Sequence, residues 1–187
     1  MATNILVTYA SKYGATKEIA EKIGEVLRQA GLQVDVLPVD GIRDLNPYQA
    51  IILGSAVYIG KWQKEAVKFL QDNENIMADR PVWLFSSGPT GDGDPVELLE
   101  GWHLPVELQP VADHIQPRDI TVFHGYINPG KVNFIEKWAV KSVVKKPFGD
   151  FRDWRMIVTW ATKIAVTLKN ADPDVEIVDV GLASRPA

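Results

Sequence analysis

Asn4-Ile-Leu-Val-Thr-Tyr-Ala-Ser-Lys-Tyr-Gly-Ala-Thr-Lys-Glu-Ile-Ala20 is the stretch that decides the fold, because an apolar run ends there in a small turn and a helix pattern follows at once. A strand that passes into a helix in this way leaves unpaired backbone N–H groups at the start of the helix. The helix dipole adds partial positive charge at the same place. The stretch therefore predicts an anion site, and phosphate is a common anion at such sites.

The composition is that of an ordinary globular protein, and it excludes several kinds of site. The chain has 187 residues, which is long enough to bury one full hydrophobic core. Of these residues 46% are hydrophobic and 24% are charged, as in ordinary globular domains. The absence of cysteine excludes disulfides, thiolate nucleophiles and cysteine-bound zinc or iron–sulfur clusters. A net charge of −4 argues against a general nucleic-acid binder, and no basic, apolar leader precedes the first strand. We therefore expect a cytoplasmic protein.

Strand and helix patterns alternate along the chain. Apolar or alternating runs predict five strands, at residues 5–9, 33–39, 50–55, 81–86 and 120–125. Amphipathic patterns predict helices at residues 16–30, 63–73, 111–115 and 154–168. This alternation indicates βαβ units and a parallel sheet with helices on both faces. We predict a doubly wound α/β fold in a single domain, residues 1–187, with an insertion at 126–149 and a C-terminal tail at 172–187.

The loop after the first strand allows two interpretations. It lacks both the Walker pattern and the G-x-G-x-x-G pattern, which argues against those nucleotide sites. The hydroxyls of Ser11 and Thr16, together with Gly14 and the helix N–H groups, suit a monoester phosphate without a metal. The same hydroxyls could instead cap the helix, and the loop alone does not decide between the two.

The loop after the third strand contains a false Walker signal and two aromatic residues. Gly60 and Lys61 imitate the end of a Walker loop, but the spacing from Gly54 is one residue too long. Trp62 also stands where a magnesium-binding Ser or Thr is needed. Tyr58 and Trp62 suit a flat aromatic ligand, although single aromatic residues more often pack locally.

The loop after the fourth strand, residues 86–95, is polar and rich in glycine. It is either a flexible connector or a backbone clamp for the polar edge of a ring. Its Asp92 and Asp94 resemble the start of a calcium loop, but His103 stands at the twelfth position, where glutamate is needed. His103, His114 and His124 show no ligand spacing, so we interpret them as structural and predict no metal site.

A phosphate turn and two ring-sized loops together suit FMN, and the motifs that supply them resemble a known family. Thr8-Tyr-Ala-Ser-Lys-Tyr-Gly-Ala-Thr16 resembles the phosphate loop of flavodoxins. Three later motifs resemble the flavodoxin-domain subgroup that includes menaquinone-dependent protoporphyrinogen oxidase: Ile51-Ile-Leu-Gly-Ser-Ala-Val-Tyr-Ile-Gly-Lys-Trp62, Phe123-His-Gly-Tyr126 and Asp150-Phe-Arg-Asp-Trp154. The resemblance implies a flavodoxin-like five-stranded parallel sheet with strand order 2-1-3-4-5.

The resemblance also implies which residues bind FMN. The phosphate would be held by Ser11, Lys12, Tyr13, Gly14, Ala15 and Thr16. The isoalloxazine ring would be flanked by Ala56, Val57, Tyr58, Ile59 and Gly60, and by Ser86, Ser87, Gly88, Pro89, Thr90 and Gly91. Lys12 and Tyr13 replace the smaller or acidic residues often found in that phosphate loop. The proline-rich stretch at residues 89–117 differs from the oxidase. No acid–base pair stands out, so no catalytic residue is assigned.

A basic segment interrupts this acidic chain before the last helix. Residues 131–155 contain seven Lys and Arg against three Asp and Glu. At residues 131–146, Phe134 and Trp138 would lie on one face of a helix, and Lys137 and Lys141 on another. This helical insertion either docks on the sheet or makes peripheral contact with a membrane surface or a partner. Our hypothesis is that it shapes the access of a lipid-soluble quinone or a protein to FMN.

We predict an FMN-dependent redox protein, and two roles stay open. One is an oxidoreductase, similar to protoporphyrinogen oxidase, that passes electrons between a small molecule and a quinone or protein partner. The other is an electron carrier like flavodoxin. Carriers tend to be strongly acidic, so the charge of −4 with a basic insertion favours the enzyme. A flavin-free signalling domain is disfavoured because residues 1–17 and 51–60 contain no Asp or Glu.

Overall fold

The computed structural model describes residues 4–127 and 149–171, in which strands and helices alternate. The strands are β1 (Asn4–Ala10), β2 (Gln33–Pro38), β3 (Ala50–Tyr58), β4 (Lys61–Trp62), β5 (Val82–Ser87), β6 (Asp119–Phe123), β7 (Tyr126–Ile127) and β8 (Gly149–Asp150). The helices are α1 (Ala15–Gln29), α2 (Lys64–Asp72), α3 (Glu74–Ala78), α4 (Gln109–Ile115) and α5 (Trp154–Ala171).

The parallel strands of the main sheet follow the order β2-β1-β3-β5-β6. If the short antiparallel β4 is set aside, this is the order 2-1-3-4-5, so the predicted flavodoxin-like doubly wound sheet is confirmed. The pairing of β1 with β3 runs from Ile5↔Ala50 to Ala10↔Ser55, which aligns their carboxyl ends. The direction of strand addition reverses between these two strands, and in such sheets ligands bind at the crevice there.

Helices cover both faces of the sheet because each presents one apolar stripe to it. On one face, α1 packs against α5, and its Ile19, Ile23 and Leu27 are fully buried. On the other face, α2, α3 and α4 share a second core, in which Ala66 and Leu70 are fully buried. Each fully buried Ile or Leu side chain contributes about 1.5–3 kcal/mol relative to an exposed one. The two cores hold the strand ends, and therefore the loops that follow them, in place.

β3 extends further than the sequence predicts. It continues to Tyr58, and the chain turns back at residues 59–60 so that β4 pairs with its end. Trp62, in β4, is only 4% exposed, and its indole Nε1 donates a hydrogen bond to Ser86 Oγ at 2.8 Å. Local packing is thus the role of Trp62, and this indole does not offer an open face to a flat ligand.

A short antiparallel ribbon that the sequence does not predict borders the insertion. In this ribbon β7 pairs with β8, with Tyr126 opposite Asp150. The basic helix predicted at residues 131–146 and the tail at 172–187 lie outside the described residues. Among the helices at residues 4–127 and 149–171, none combines the length and the apolar composition that a membrane crossing needs.

Candidate functional site

The loops that follow four parallel strands meet in one cleft at the carboxyl edge of the sheet. Its volume is about 110 Å³. It is lined by Ser11, Lys12, Tyr13, Ala15, Thr16, Ala56, Val57, Tyr58, Ile59, Ser87, Gly88, Gly125 and Tyr126. The cleft therefore lies at the reversal of strand order, where a doubly wound sheet binds its ligands.

The loop between β1 and α1 forms the wall of the cleft that suits an anion. Gly14 precedes the helix with a φ of 98°, a conformation that glycine adopts more readily than any other residue. Its N–H donates a hydrogen bond to Ser11 Oγ at 3.0 Å, so this hydroxyl closes the turn rather than capping the first turn of the helix. No side chain of the described residues caps that turn. Its N–H groups therefore lack a side-chain acceptor among the described residues, and they lie in the positive field of the helix dipole, which suits an anion.

Tyr13 and Tyr58 narrow the cleft from opposite loops. Their ring centroids lie 6.2 Å apart with an interplanar angle of 66°, which is an edge-to-face contact. Lys12 Nζ lies 5.1 Å and 5.4 Å from the two centroids, within the range of cation–π interaction. Ligand pockets usually measure about 300–1,000 Å³, well above the volume of this cleft.

Ile59, an apolar residue with a strained backbone, lies at the tip of the turn between β3 and β4. Ile59 has a φ of 50° and Gly60 a φ of 70°, between the paired residues Tyr58 and Lys61. Positive φ at both central residues is the requirement of a type I′ hairpin turn, for which Asn-Gly is favoured. A β-branched residue is a genuine outlier there, and the Ile59 side chain is also 92% exposed. The chain thus keeps an apolar group in solvent beside the cleft at the expense of backbone strain.

Replacing Ile59 by Asn is expected to raise the free energy of unfolding by about 1 kcal/mol, because Asn tolerates the left-handed conformation. For a chain of this length the melting temperature should rise by about 2–4 °C. Thermal unfolding followed by circular dichroism measures the change. Ile59→Val is the matched control, since it keeps the β-branch and should leave the melting temperature unchanged. An Asn variant no more stable than the Val variant would show that the turn carries no strain.

Glycines at two positions allow the backbone segments behind the cleft to approach one another. A Cβ on Gly88 would lie 2.9 Å from Val57 Cβ, and one on Gly125 would lie 3.0 Å from the Gly88 carbonyl oxygen. The Gly88 N–H donates to the Phe123 carbonyl at 3.2 Å, and the Gly125 N–H donates to the Pro89 carbonyl at 2.8 Å. Side chains at either glycine would separate these segments, so the back of the cleft is made of closely packed backbone.

His124, which follows β6, holds the loop after β5 in place. His124 is buried, with Nδ1 at 3.2 Å from the Pro89 carbonyl oxygen and Nε2 at 2.8 Å from the Gly93 carbonyl oxygen. The structural role predicted for His124 is thus confirmed. Asp94, which resembled a calcium ligand, instead accepts hydrogen bonds from the N–H groups of Val96 and Glu97 through Oδ1.

Two buried hydroxyls lack a hydrogen-bond partner within residues 4–127 and 149–171. They are Thr8 Oγ1, in β1, and Thr90 Oγ1, in the loop after β5. Buried polar groups nearly always have a partner, but Thr90 Oγ1 lies outside the lining of the cleft. The uncapped helix start and the backbone of the glycine segments fit a ligand with a phosphate at one end and a flat, polar ring at the other.

The cleft contains most, but not all, of the residues that the family resemblance implies. Those outside its lining are Gly14, Gly60, Ser86, Pro89, Thr90 and Gly91. Ser86 is fully buried, and its hydroxyl donates to the His103 carbonyl at 3.0 Å. Gly125 and Tyr126 line the cleft without having been assigned to it. The sequence could have indicated both residues, because they belong to the motif Phe123-His-Gly-Tyr126, which lies at the carboxyl end of a parallel strand at the same edge of the sheet.

A larger groove lies elsewhere and shares no lining residue with the cleft. It has a volume of about 520 Å³ and runs between the β2–β3 connection and α2, with Ile42, Leu45 and Phe69 among its lining residues. No glycine lines this groove, and neither does any residue of the β1–α1 loop or of β3, so we assign the candidate site to the cleft. Within residues 4–127 and 149–171, no group of three His, Cys, Asp or Glu could hold a metal ion.

Comparison with known families and proteins gives matches over most of the chain. The family profile described as "Flavodoxin domain" matches residues 6–152. The protoporphyrinogen IX dehydrogenase [quinone] of Escherichia coli (strain K12) is 18% identical over 170 residues, which cover 86% of this chain and 93% of that protein. A NAD(P)H dehydrogenase (quinone) of Methylocella silvestris is 31% identical over 88 residues, 35% of this chain. That match spans only 44% of the relative's own length.

Solved structures with the same fold include flavodoxins. A flavodoxin from the domain Archaea has a TM-score of 0.59 and 16% identity, and the match covers 89% of this chain and 99% of that one. A flavodoxin of Streptococcus pneumoniae TIGR4 has a TM-score of 0.58 and 17% identity, and the match covers 88% of this chain and 99% of that one. At these identities the likeness concerns the fold.

Proposed function

This chain belongs to the flavodoxin-domain family and is an FMN-type redox protein, and from this premise we propose that it is an oxidoreductase that passes electrons between a small molecule and a quinone or protein partner. The observation that carries the proposal is the convergence of an uncapped helix start, an aromatic pair and a glycine-lined backbone in one cleft at the reversal of strand order.

The proposed FMN site uses the two ends of the cleft for two kinds of contact. Phosphate would be held by Ser11, Lys12, Tyr13, Gly14, Ala15 and Thr16, around the start of α1. The ring would be flanked by residues 56–60 and 86–91, and by Gly125 and Tyr126, which also line the cleft. Bound FMN supplies one- and two-electron transfer at its ring. The chain's own part is to orient the ring and to exclude water with Tyr13 and Tyr58.

Support for a quinone comes from two kinds of relative. The Escherichia coli protein that aligns with most of this chain is a protoporphyrinogen IX dehydrogenase [quinone]. The shorter match is to proteins named NAD(P)H dehydrogenase (quinone). The names of these relatives give different electron donors, protoporphyrinogen IX and NAD(P)H, but the same acceptor, a quinone. We therefore propose a quinone as the electron acceptor of this chain. The exposed Tyr58 and Ile59 beside the cleft offer apolar contact to such a ring. Peripheral membrane contact through residues 131–146 stays a prediction.

Titration with FMN is the first test, and we expect one FMN bound per chain with quenching of the flavin fluorescence. Protein that neither copurifies with flavin nor quenches added FMN would contradict the FMN assignment. The holoprotein is then given NADH, NADPH or protoporphyrinogen as donor and menadione as acceptor. We expect steady turnover with at least one donor, measured as quinone reduction under anaerobic conditions.

An electron carrier is the second candidate, favoured by the nearly complete overlap with small solved flavodoxins. A carrier would be reduced by dithionite and reoxidised by cytochrome c but would not turn over any of these donors with menadione. FMN binding without quinone turnover would therefore favour the carrier over the oxidoreductase.

A further inference from the structure

Arg152, in the segment between β8 and α5, is a buried guanidinium whose side chain is only 3% exposed. Its Nε and Nη2 donate to the two carboxylate oxygens of Asp150 at 2.8 Å and 2.7 Å. Its Nη1 donates to Glu18 Oε2 at 2.7 Å and approaches the Ala15 carbonyl oxygen at 3.4 Å. These bidentate and charge-assisted hydrogen bonds are among the stronger polar contacts that a protein makes.

Two aromatic rings hold the same guanidinium. The Cζ atom of Arg152 lies 5.2 Å from the ring centroid of Tyr126 and 4.6 Å from that of Trp154. Both distances allow cation–π interaction. Only a planar, forked cation can contact two rings while donating to two carboxylates, and lysine lacks this geometry.

These contacts join two walls of the cleft that are distant in sequence. Ala15 and Tyr126 both line the cleft. Ala15 and Glu18 lie in the first turn of α1, which follows the proposed phosphate loop. Tyr126 pairs with Asp150, and the Phe151 N–H donates to the Gly125 carbonyl at 3.2 Å. Arg152 is therefore the side chain through which the ribbon and the start of α1 are joined.

The hydrogen bonds of this cluster favour the ionised forms of Arg152 and Asp150. Burial lowers the pKa of Arg152, but hydrogen bonds with Asp150 and Glu18 outweigh burial and raise it overall. The pKa of Asp150 lies below its ordinary value, chiefly because its carboxylate accepts hydrogen bonds from Arg152, and burial opposes this only partly. Removing the cation would leave the carboxylates of Asp150 and Glu18 without the guanidinium that both contact.

We infer that Arg152 is a positioning residue that holds the first turn of α1 against Tyr126 and thereby sets the preference of the cleft for FMN over riboflavin. This inference rests on the proposed FMN function. Riboflavin shares the ring of FMN but lacks the phosphate, so it makes no contact with N–H groups at the start of α1. A shift of that turn removes phosphate contacts while leaving most ring contacts, so it weakens FMN binding more than riboflavin binding.

The test compares the dissociation constants of FMN and riboflavin for the full-length wild type and for Arg152→Lys, measured by flavin fluorescence. We expect the ratio of FMN to riboflavin affinity to fall about tenfold, because lysine cannot keep both the forked hydrogen bonds and the two ring contacts. Glu18→Gln is the second variant. It removes one charge from a side chain that is 46% exposed, so it is expected to fold and to lower the ratio to a smaller extent.

Arg28→Lys is the matched control at the other end of α1. Arg28 donates through Nε and Nη2 to the Val34 carbonyl oxygen at 3.1 Å and 2.8 Å, and Val34 does not line the cleft. It should lower the melting temperature of the apoprotein without changing the affinity ratio. An unchanged ratio in both cluster variants, whatever their melting temperatures, would overturn the inference. Wild type that binds neither flavin would overturn the proposed function and the inference together.

Discussion

Gly14→Val is expected to weaken FMN binding about 100-fold or more. At a φ of 98°, valine at position 14 would clash with its own backbone, since the left-handed region already costs an L-residue about 1–2 kcal/mol. The loop would relieve this strain by rotating its peptide groups away from the proposed phosphate position. Loss of two hydrogen bonds to a charged phosphate, each worth about 1.5 kcal/mol, removes about 3 kcal/mol of binding free energy, or about two factors of ten. Fluorescence titration measures the dissociation constant.

Gly31→Val is the matched control for this prediction. Gly31 has a φ of +87° and follows the same helix at its far end, and a Cβ there would meet no atom of residues 4–127 and 149–171 within 4 Å beyond its chain neighbours. Valine there introduces similar backbone strain and should destabilise the protein without altering FMN affinity. If both variants bound FMN as tightly as wild type, the loop around Gly14 would not be the phosphate site.

Gly54→Ala is expected to lower the free energy of unfolding by about 3 kcal/mol, the upper end of the usual range for overpacking. A Cβ at position 54 would lie 1.9 Å from Cζ of Phe85, which is its register partner on β5. Phe85 is fully buried, and its ring contacts those of Phe123 and Trp160 at centroid distances of 5.8 Å and 6.1 Å. Moving the ring of Phe85 would therefore disturb both of these aromatic contacts. Urea unfolding followed by tryptophan fluorescence measures the loss.

Gly41→Ala serves as the control for Gly54→Ala, because its Cβ would meet Pro38 Cγ at an ordinary distance of 3.5 Å. We expect a change within about 0.5 kcal/mol there. Should Gly54→Ala fail to fold, the double variant with Phe85→Leu tests the same clash, since the smaller side chain makes room for the methyl group. The double variant should then be more stable than Gly54→Ala alone. A Gly54→Ala protein as stable as the Gly41→Ala protein would contradict the overlap.

The elements of the sheet could be predicted because their signals are local. Continuous apolar runs marked the parallel strands, and stripes such as Ile19, Ile23 and Leu27 marked the buried side of a helix. The extension of β3 to Tyr58 could not be predicted in this way. It depends on pairing with β4, and the strain at Ile59 is opposite to what turn preferences favour. Its stability comes from contacts of the folded chain, including the buried Trp62.

The candidate site likewise has one part that the sequence predicts and another that it does not. The loop at residues 11–16 was recognisable because the strand, the turn and the helix that form it are adjacent in sequence. Gly125 and Tyr126 were not assigned, since the approach of Gly125 to Gly88 follows from the order and register of separate strands. The role of Arg152 was equally out of reach, because its partner Glu18 lies 134 positions away.

The sequence alone therefore determines the order of strands and helices, the loops that end at one edge of the sheet and the small turn that begins α1. Three features exist only in the folded chain: the width of the cleft between Tyr13 and Tyr58, the close packing of Gly54 against Phe85, and the buried Arg152 cluster. The physical reason is range. Periodicity, turn chemistry and helix capping act between neighbours, whereas close packing and buried charge pairs depend on which distant segments the sheet brings together.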